Sequence, residues 1–272
     1  MRILMLCGNQ PNHLALAHKV AAKHELVGIV LEEKMPSGTN PFNAIPKLID
    51  KIFFSEINNA WTKLMQYYKN NFKGFPPTEI FKTSSVNSTR VAEIIEKLKP
   101  DLVMVSGSSL IRKPVIELKF PKGIINLHTG ISPYVKGGPN CTNWCLANDE
   151  FHLIGNTIMW LDSGIDSGNL ITTETTDFTG NENLFELHLK VMEHAHQLYL
   201  KVIEQLKTDS SKCQSVKQND IGKGNLYLSK MWNISKKKAL LHNFGSGRFQ
   251  KVIQSSDYRE KKNKIKLVKF LS

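Results

Sequence analysis

A chain of 272 residues, 41% of them hydrophobic, can bury a full core, so one large domain or one domain with a small appendage is expected. "MRILMLCGNQPN" is too short an apolar run for a signal peptide, and no later stretch approaches eighteen uncharged apolar residues, so a cytoplasmic protein without a membrane span is the expectation. The net charge of +12 permits attraction to phosphates, yet much of it sits in "SKKKAL" and "YREKKNKIKLVKF", and charge alone does not establish nucleic-acid binding.

The chain opens with the apolar run "RILMLC", which ends at Gly8. Next comes "NHLALAHKVAAKH", whose Leu14, Ala17, Val20 and Ala21 recur at helical spacing, and then "ELVGIVLEE": a βαβ opening. Residues 40–78 hold a helical, aromatic-rich insertion, expected to cover a sheet edge or shape a substrate wall. In "SSVNSTRVAEIIEKLKPDLVMVSGSS", Asn87 or Ser88 caps a helix whose Val91, Ile94, Ile95 and Leu98 line one face, and Pro100 precedes the strand "DLVMVS". "GIINLH" is the next strand. Continuous apolar strands alternating with amphipathic helices predict an α/β fold: a Rossmann-like, doubly wound, mostly parallel sheet with helices on both faces.

After that strand, "NTIMWLDSGIDSGNLITT" reads as two strands joined by a glycine-containing loop, and "ENLFELHLKVMEHAHQLYLKVIEQL" as a long helix with Leu184, Leu187, Val191 and Leu198 on one side. His194 and His196, two apart, are expected at its surface. From Thr208 the composition turns polar, so residues 1–207 are expected to form the core and 208–272 a small, loosely regular extension. The four cysteines (Cys7, Cys141, Cys145 and Cys213) have no CxxC spacing; free thiols are expected, with no metal site, even though Cys141 and Cys145 share a helix face.

The chemistry concentrates in "GIINLHTGISPYVKGGPNCTNW". A strand alternates its side chains, so Asn126 and His128 point to one face while Leu127 points into the core, and at the carboxyl end of a parallel strand that face opens on a ligand crevice. "LDSGIDSG" adds the carboxylates of Asp162 and Asp166. An amide can donate to a developing oxyanion, an imidazole can move a proton, and a neighbouring carboxylate raises its pKa and fixes its tautomer. Ser132 and Cys141 lack the G-x-S-x-G context of a nucleophile, which favours direct attack by an acceptor amine.

The order N-x-H-x-G-x-x-P-x-x-x-G, followed 38 residues after His128 by I-D-x-G, resembles the 10-formyltetrahydrofolate-dependent formyltransferase family. That family includes glycinamide ribonucleotide, methionyl-tRNA and sugar N-formyltransferases. The resemblance spans roughly residues 1–205. It implies that Asn126, His128 and Asp166 are catalytic. It also implies that Gly107, Ser108, Leu110 and Ile111 form one wall of the site for the folate co-substrate, 10-formyltetrahydrofolate, and that Met159, Leu161 and Asp162 form the other.

Among these relatives the sugar N-formyltransferases resemble the chain best, by the H-x-G-x-x-P-x-x-x-G run and a short C-terminal extension. The implied partner is a nucleotide-linked 4-amino-4,6-dideoxy sugar, dTDP-linked first, used for surface polysaccharide such as O-antigen of lipopolysaccharide, and the implied assembly is a homodimer. Gly8, Asn9, Gln10, Lys136, Tyr227 and Trp232 are the expected substrate contacts, with packing the stronger reading for the two aromatic residues. No nucleic-acid or membrane partner is expected. The alternatives are methionyl-tRNA formylation and a non-catalytic nucleotide- or nucleic-acid-binding module on the same fold.

Overall fold

The computed structural model describes residues 1–33, 52–138, 140–245 and 247–270. Its opening is the expected βαβ unit: β1 (Arg2–Gly8), α1 (Pro11–Ala21) and β2 (Glu25–Glu32). Pro11 begins α1, where its missing N–H has no helical partner to lose. Then follow α2 (Ser55–Asn71), β3 (Ile80–Thr83), α3 (Thr89–Leu98), β4 (Leu102–Ser106) and β5 (Ile124–His128). Ser88 caps α3 by accepting from the Val91 N–H.

The main sheet has seven strands in the order β3-β2-β1-β4-β5-β7-β8, where β7 is Gly155–Trp160 and β8 is Leu170–Thr175. β1 to β5 pair in parallel, whereas β7 runs antiparallel to β5 and β8 antiparallel to β7, so the sheet is mostly parallel with an antiparallel end. Alternation along the strands divides the core in two. Ile3, Met5, Cys7, Met104 and Ile125 face α1 and the long helix α5 (Leu184–Thr208), while Leu4, Leu6, Val103, Val105 and Ile124 face α3. Leu127 packs on the α5 side, as expected.

Helix α2 does not cover a sheet edge: its buried Ile57, Ala60, Leu64 and Tyr68 lie at helical spacing against α1 and α5, making a second layer outside them. The part of the insertion up to residue 51 lies outside the described residues. The expectation that His196 lies at the surface is also corrected, because α5 is covered on more than one side. His196 is fully buried beside Tyr68, and His194 is half-buried with Nδ1 2.9 Å from Thr176 Oγ1.

The residues after α5 pack closely on what precedes them. β9 (Asn225–Tyr227) pairs in parallel with the short β6 (Val135–Gly137). Helices α6 (Ile234–Phe244), α7 (Arg248–Gln254) and α8 (Ser256–Lys264) send Leu240, Phe244, Phe249, Ile253 and Tyr258 into one cluster with α4 (Cys141–Ala147) and the start of α5. Val216 and Val268 hydrogen-bond along β8, so its outer edge is covered.

Candidate active site

Asn126 and His128 share the sheet face of Ile124, the α3 side, as period-two alternation requires. β7 ends beside the start of β5, with Trp160 opposite Ile125, so the loop that follows must fold back across this face. It does so: Asp166 Oδ2 lies 3.2 Å from His128 Nδ1, and Asp166 Oδ1 lies 3.5 Å from Asn126 Nδ2, at the outer limit of a hydrogen bond. The Gly137 N–H donates to the same Oδ2 at 2.9 Å. Asp166 itself has φ +47°, a left-handed conformation unusual for a residue with a side chain.

The other ring nitrogen of His128, Nε2, lies 3.0 Å from the Val135 carbonyl oxygen and 3.7 Å from Cys141 Sγ. A carbonyl only accepts and a carboxylate accepts, so both ring nitrogens are placed to donate and the imidazole is held as imidazolium. Burial alone would lower the His128 pKa. The Asp166 carboxylate, Cys141 and the Val135 carbonyl together outweigh it and push the value up to about 10.

A cleft of about 200 Å³ opens in front of these groups. Gly107, Ser108, Leu110 and Ile111, from the loop after β4, form one wall, and Met159, Leu161 and Asp162 form the other; Asn126 and Asp166 stand between them. All seven residues expected to hold the folate thus meet at one cleft, while the nearly buried His128 sits behind Asp166. Asp162 uses its Oδ1 within its own loop, accepting from Gly164 N at 3.0 Å and Ser167 Oγ at 2.7 Å. Ile111 lines the cleft and packs in the α3-side core, so the same side chain serves both.

The expected acceptor contacts are more dispersed. Gly8 stands beside the cleft, its backbone so close to Gly107 that a Cβ on it would sit 2.5 Å from the Gly107 oxygen; Asn9 and Gln10 are exposed next to it. Lys136 is half-exposed on β6, and its side chain makes no hydrogen bond or ion pair to another described residue. Tyr227 and Trp232 pack rather than project: Tyr227 stacks on Trp144 with ring centroids 4.4 Å apart, Trp232 meets Trp144 edge-on at 4.9 Å, and the Tyr227 hydroxyl accepts from Asn148.

Sequence reasoning did not single out the residues that hold the walls. Glu32, buried at the end of β2, accepts from Ser109 N at 2.6 Å and from Val86 N at 3.1 Å. Asn87 donates to the Leu110 oxygen at 3.0 Å and accepts from Arg112 N at 2.7 Å. Together they fasten three successive points of the loop after β4. On the other wall, Gln218 donates to the oxygens of Asp166 and Gly168.

Residues 1–203 match the formyl transferase family. Methionyl-tRNA formyltransferases of Alkaliphilus oremlandii and Clostridium beijerinckii are each 31% identical over 183 residues, covering 66% and 64% of this chain. The matches cover 51% and 56% of theirs, so the chain spans about half the length of the curated relatives it matches. Among solved structures, a 4-N formyltransferase from Francisella tularensis aligns with a TM-score of 0.56 at 19% identity, over 88% of this chain and 86% of that one. An N-formyltransferase from Helicobacter canadensis, in complex with folinic acid and dTDP-3-aminofucose, aligns with a TM-score of 0.57 at 16% identity, over 90% and 81%. A phosphoribosylglycinamide formyltransferase from Anaplasma phagocytophilum aligns at 0.53 and 16% identity, over 77% and 88%. At these identities the likeness is one of fold.

Proposed function

The chain belongs to the formyl transferase family, and we propose that it transfers a formyl group from 10-formyltetrahydrofolate to the amino group of a nucleotide-linked 4-amino-4,6-dideoxy sugar, dTDP-linked first, in the cytoplasm and as a homodimer. The product would serve surface-polysaccharide synthesis. One observation carries the reading: an amide, Asn126, and a carboxylate, Asp166, line one cleft while an imidazolium, His128, stands behind the carboxylate.

The cleft fits the head of a folate by the chemistry of its walls. Leu110, Ile111, Met159 and Leu161 offer apolar faces to a flat ring, and the backbone of the 107–111 and 161–168 loops offers peptide groups to its polar edge. When bound, the carrier supplies an activated formyl group. Asn126 Nδ2 then donates toward an oxygen that gains negative charge, and the fixed positive charge of His128 stabilises the same charge. Asp166 takes the proton that the attacking amine loses, directly or through a water, and returns it to the carrier nitrogen as the bond between that nitrogen and the formyl carbon breaks, while the Gly137 N–H and His128 keep the carboxylate in place. Lys136 is the cation offered to the acceptor's diphosphate.

The choice of acceptor rests on support of a different kind. The fold shared with the Francisella and Helicobacter enzymes extends over 88% and 90% of this chain, against 77% for the phosphoribosylglycinamide formyltransferase. Transfer to methionyl-tRNA is the second reading. It is favoured by the 31% identities and by charge, since residues 208–272 hold 15 of the 36 Lys and Arg but 4 of the 24 Asp and Glu. The test offers 10-formyltetrahydrofolate with dTDP-4-amino-4,6-dideoxyglucose in one reaction and with methionyl-tRNA in another, and follows formylated product by mass. A formylated sugar nucleotide supports the first reading, and activity confined to the tRNA replaces it with the second.

A further inference from the structure

Residue 203 ends the stretch matched to the family, yet the loop that carries Asp166 is held from beyond it. Val216 pairs with Leu170 in both directions, N–H to oxygen at 2.8 and 3.0 Å, and so fixes the chain beside β8. Two residues on, Gln218 turns under the 162–168 loop. Gln218 is 7% exposed, and its Nε2 donates to the Asp166 oxygen at 2.7 Å and to the Gly168 oxygen at 2.8 Å. Two facing carbonyls determine which way the amide points, because the flipped rotamer would set oxygen against oxygen. Gln218 is therefore held in one orientation by its two donated hydrogen bonds.

The grip matters because Asp166 is in the left-handed region, a conformation that persists only where its surroundings impose it. We propose that Gln218 is a positioning residue: by clamping the carbonyls of Asp166 and Gly168 it keeps the Asp166 carboxylate between Asn126, His128 and the Gly137 N–H. The same extension reaches the carboxylate from the other side. Gly137 lies opposite Tyr227 in the β6–β9 pair, and the Gly138 N–H donates to the Tyr227 oxygen at 2.9 Å, so the strand that supplies the Gly137 donor is itself fixed by β9. Residues after α5 thus act on both ends of Asp166, its carbonyl and its carboxylate. The proposal deepens the formyl-transfer reading and rests on it only for the rate measurement below.

The test reads the His128 ring by NMR titration in the histidine-labelled protein, with Asp166→Asn as the reference for a lost carboxylate. The ring is faced by Asp166, by the Cys141 sulfur from α4 and by the Val135 carbonyl, and Gln218 touches none of its atoms. Gln218→Met keeps the length and removes the donors; Gln218→Leu also removes them without adding a charge and serves where the methionine variant does not fold. The expected result is a downward shift of the His128 midpoint in the direction given by Asp166→Asn, no further shift when the two substitutions are combined, and an unmoved His13. In the formylation assay, kcat should fall 10-fold or more with the acceptor KM unchanged. An unmoved His128 midpoint in a folded Gln218 variant, or an equal shift in the Asp166→Asn background, would overturn the proposal. Because the titration needs no substrate, it stays decisive if formyl transfer itself is not found.

Discussion

His128 and Asp166 meet at 3.2 Å, Nδ1 to Oδ2, while the opposite ring nitrogen of His128 is committed to the Val135 carbonyl. A histidine bonded on both sides to acceptors is a proton holder: it works as a charge, and it fixes the carboxylate in front of it. The sign of the resulting pH dependence follows. The folded-state value is raised to about 10 from about 6.5, so stability from this pair is complete below about pH 6.5 and is lost as pH rises toward 10. Urea unfolding of the wild type and His128→Gln at pH 6, 8 and 10 should show a stability difference that shrinks with each step. A difference that grew with pH would mean that the imidazole is buried neutral.

Asn126 lines the cleft, and among the described residues its side-chain amide has only a 3.5 Å contact with Asp166, so it is available to a ligand. Asn126→Ala should lower kcat by about 10²- to 10³-fold, the usual loss for one donor to a developing oxyanion. The acceptor KM should change little. Steady-state kinetics that found the whole loss in KM would place Asn126 in binding instead.

Glu32 anchors Ser109 and Val86 at once, each through a different oxygen, so Glu32→Gln sets an amide NH₂ against one of two backbone N–H groups that now find an acceptor. The expected cost is about 1–3 kcal/mol of stability, the range for leaving a buried donor unsatisfied. Calorimetric titration should show folinic acid binding at least 10-fold more weakly. Unchanged affinity would separate this loop from the folate site.

Gly137 has φ +86°, and a Cβ there would lie 2.1 Å from the Tyr227 oxygen. Gly137→Ala must open the β6–β9 pair and draw the N–H away from Asp166. A lower melting temperature together with a loss of kcat is expected. An alanine variant with wild-type melting and turnover would remove β9 from the account of the site.

Much of the fold was legible because it is written locally. Apolar runs ending at Gly8 and Ser106, the Ser88 cap and the helical spacing of Val91 and Ile95 each act within a few residues of themselves. Asn126 and His128 were legible by alternation, and Asp166 by its place after a strand in a motif that resembles a family's. His196 was misread because helical periodicity shows one buried face, and α5 is covered by α2 as well as by the sheet. The parts that Glu32, Asn87 and Gln218 play in holding the walls were missed for a related reason, Asn87 having been read only as a possible cap of α3. Each acts on backbone between 23 and 77 residues away, and no local pattern announces such a contact. Tyr227 and Trp232 look the same in sequence whether they stack on a ligand or on Trp144; only the fold decides.

The most direct test of the account is single-turnover transfer from 10-formyltetrahydrofolate to dTDP-4-amino-4,6-dideoxyglucose, product read by mass, for the wild type and Asp166→Asn. The account predicts a formylated sugar nucleotide from the wild type, at least a 10³-fold slower reaction from the variant, and folinic acid affinity within twofold between them. Equal rates from the two proteins would contradict it.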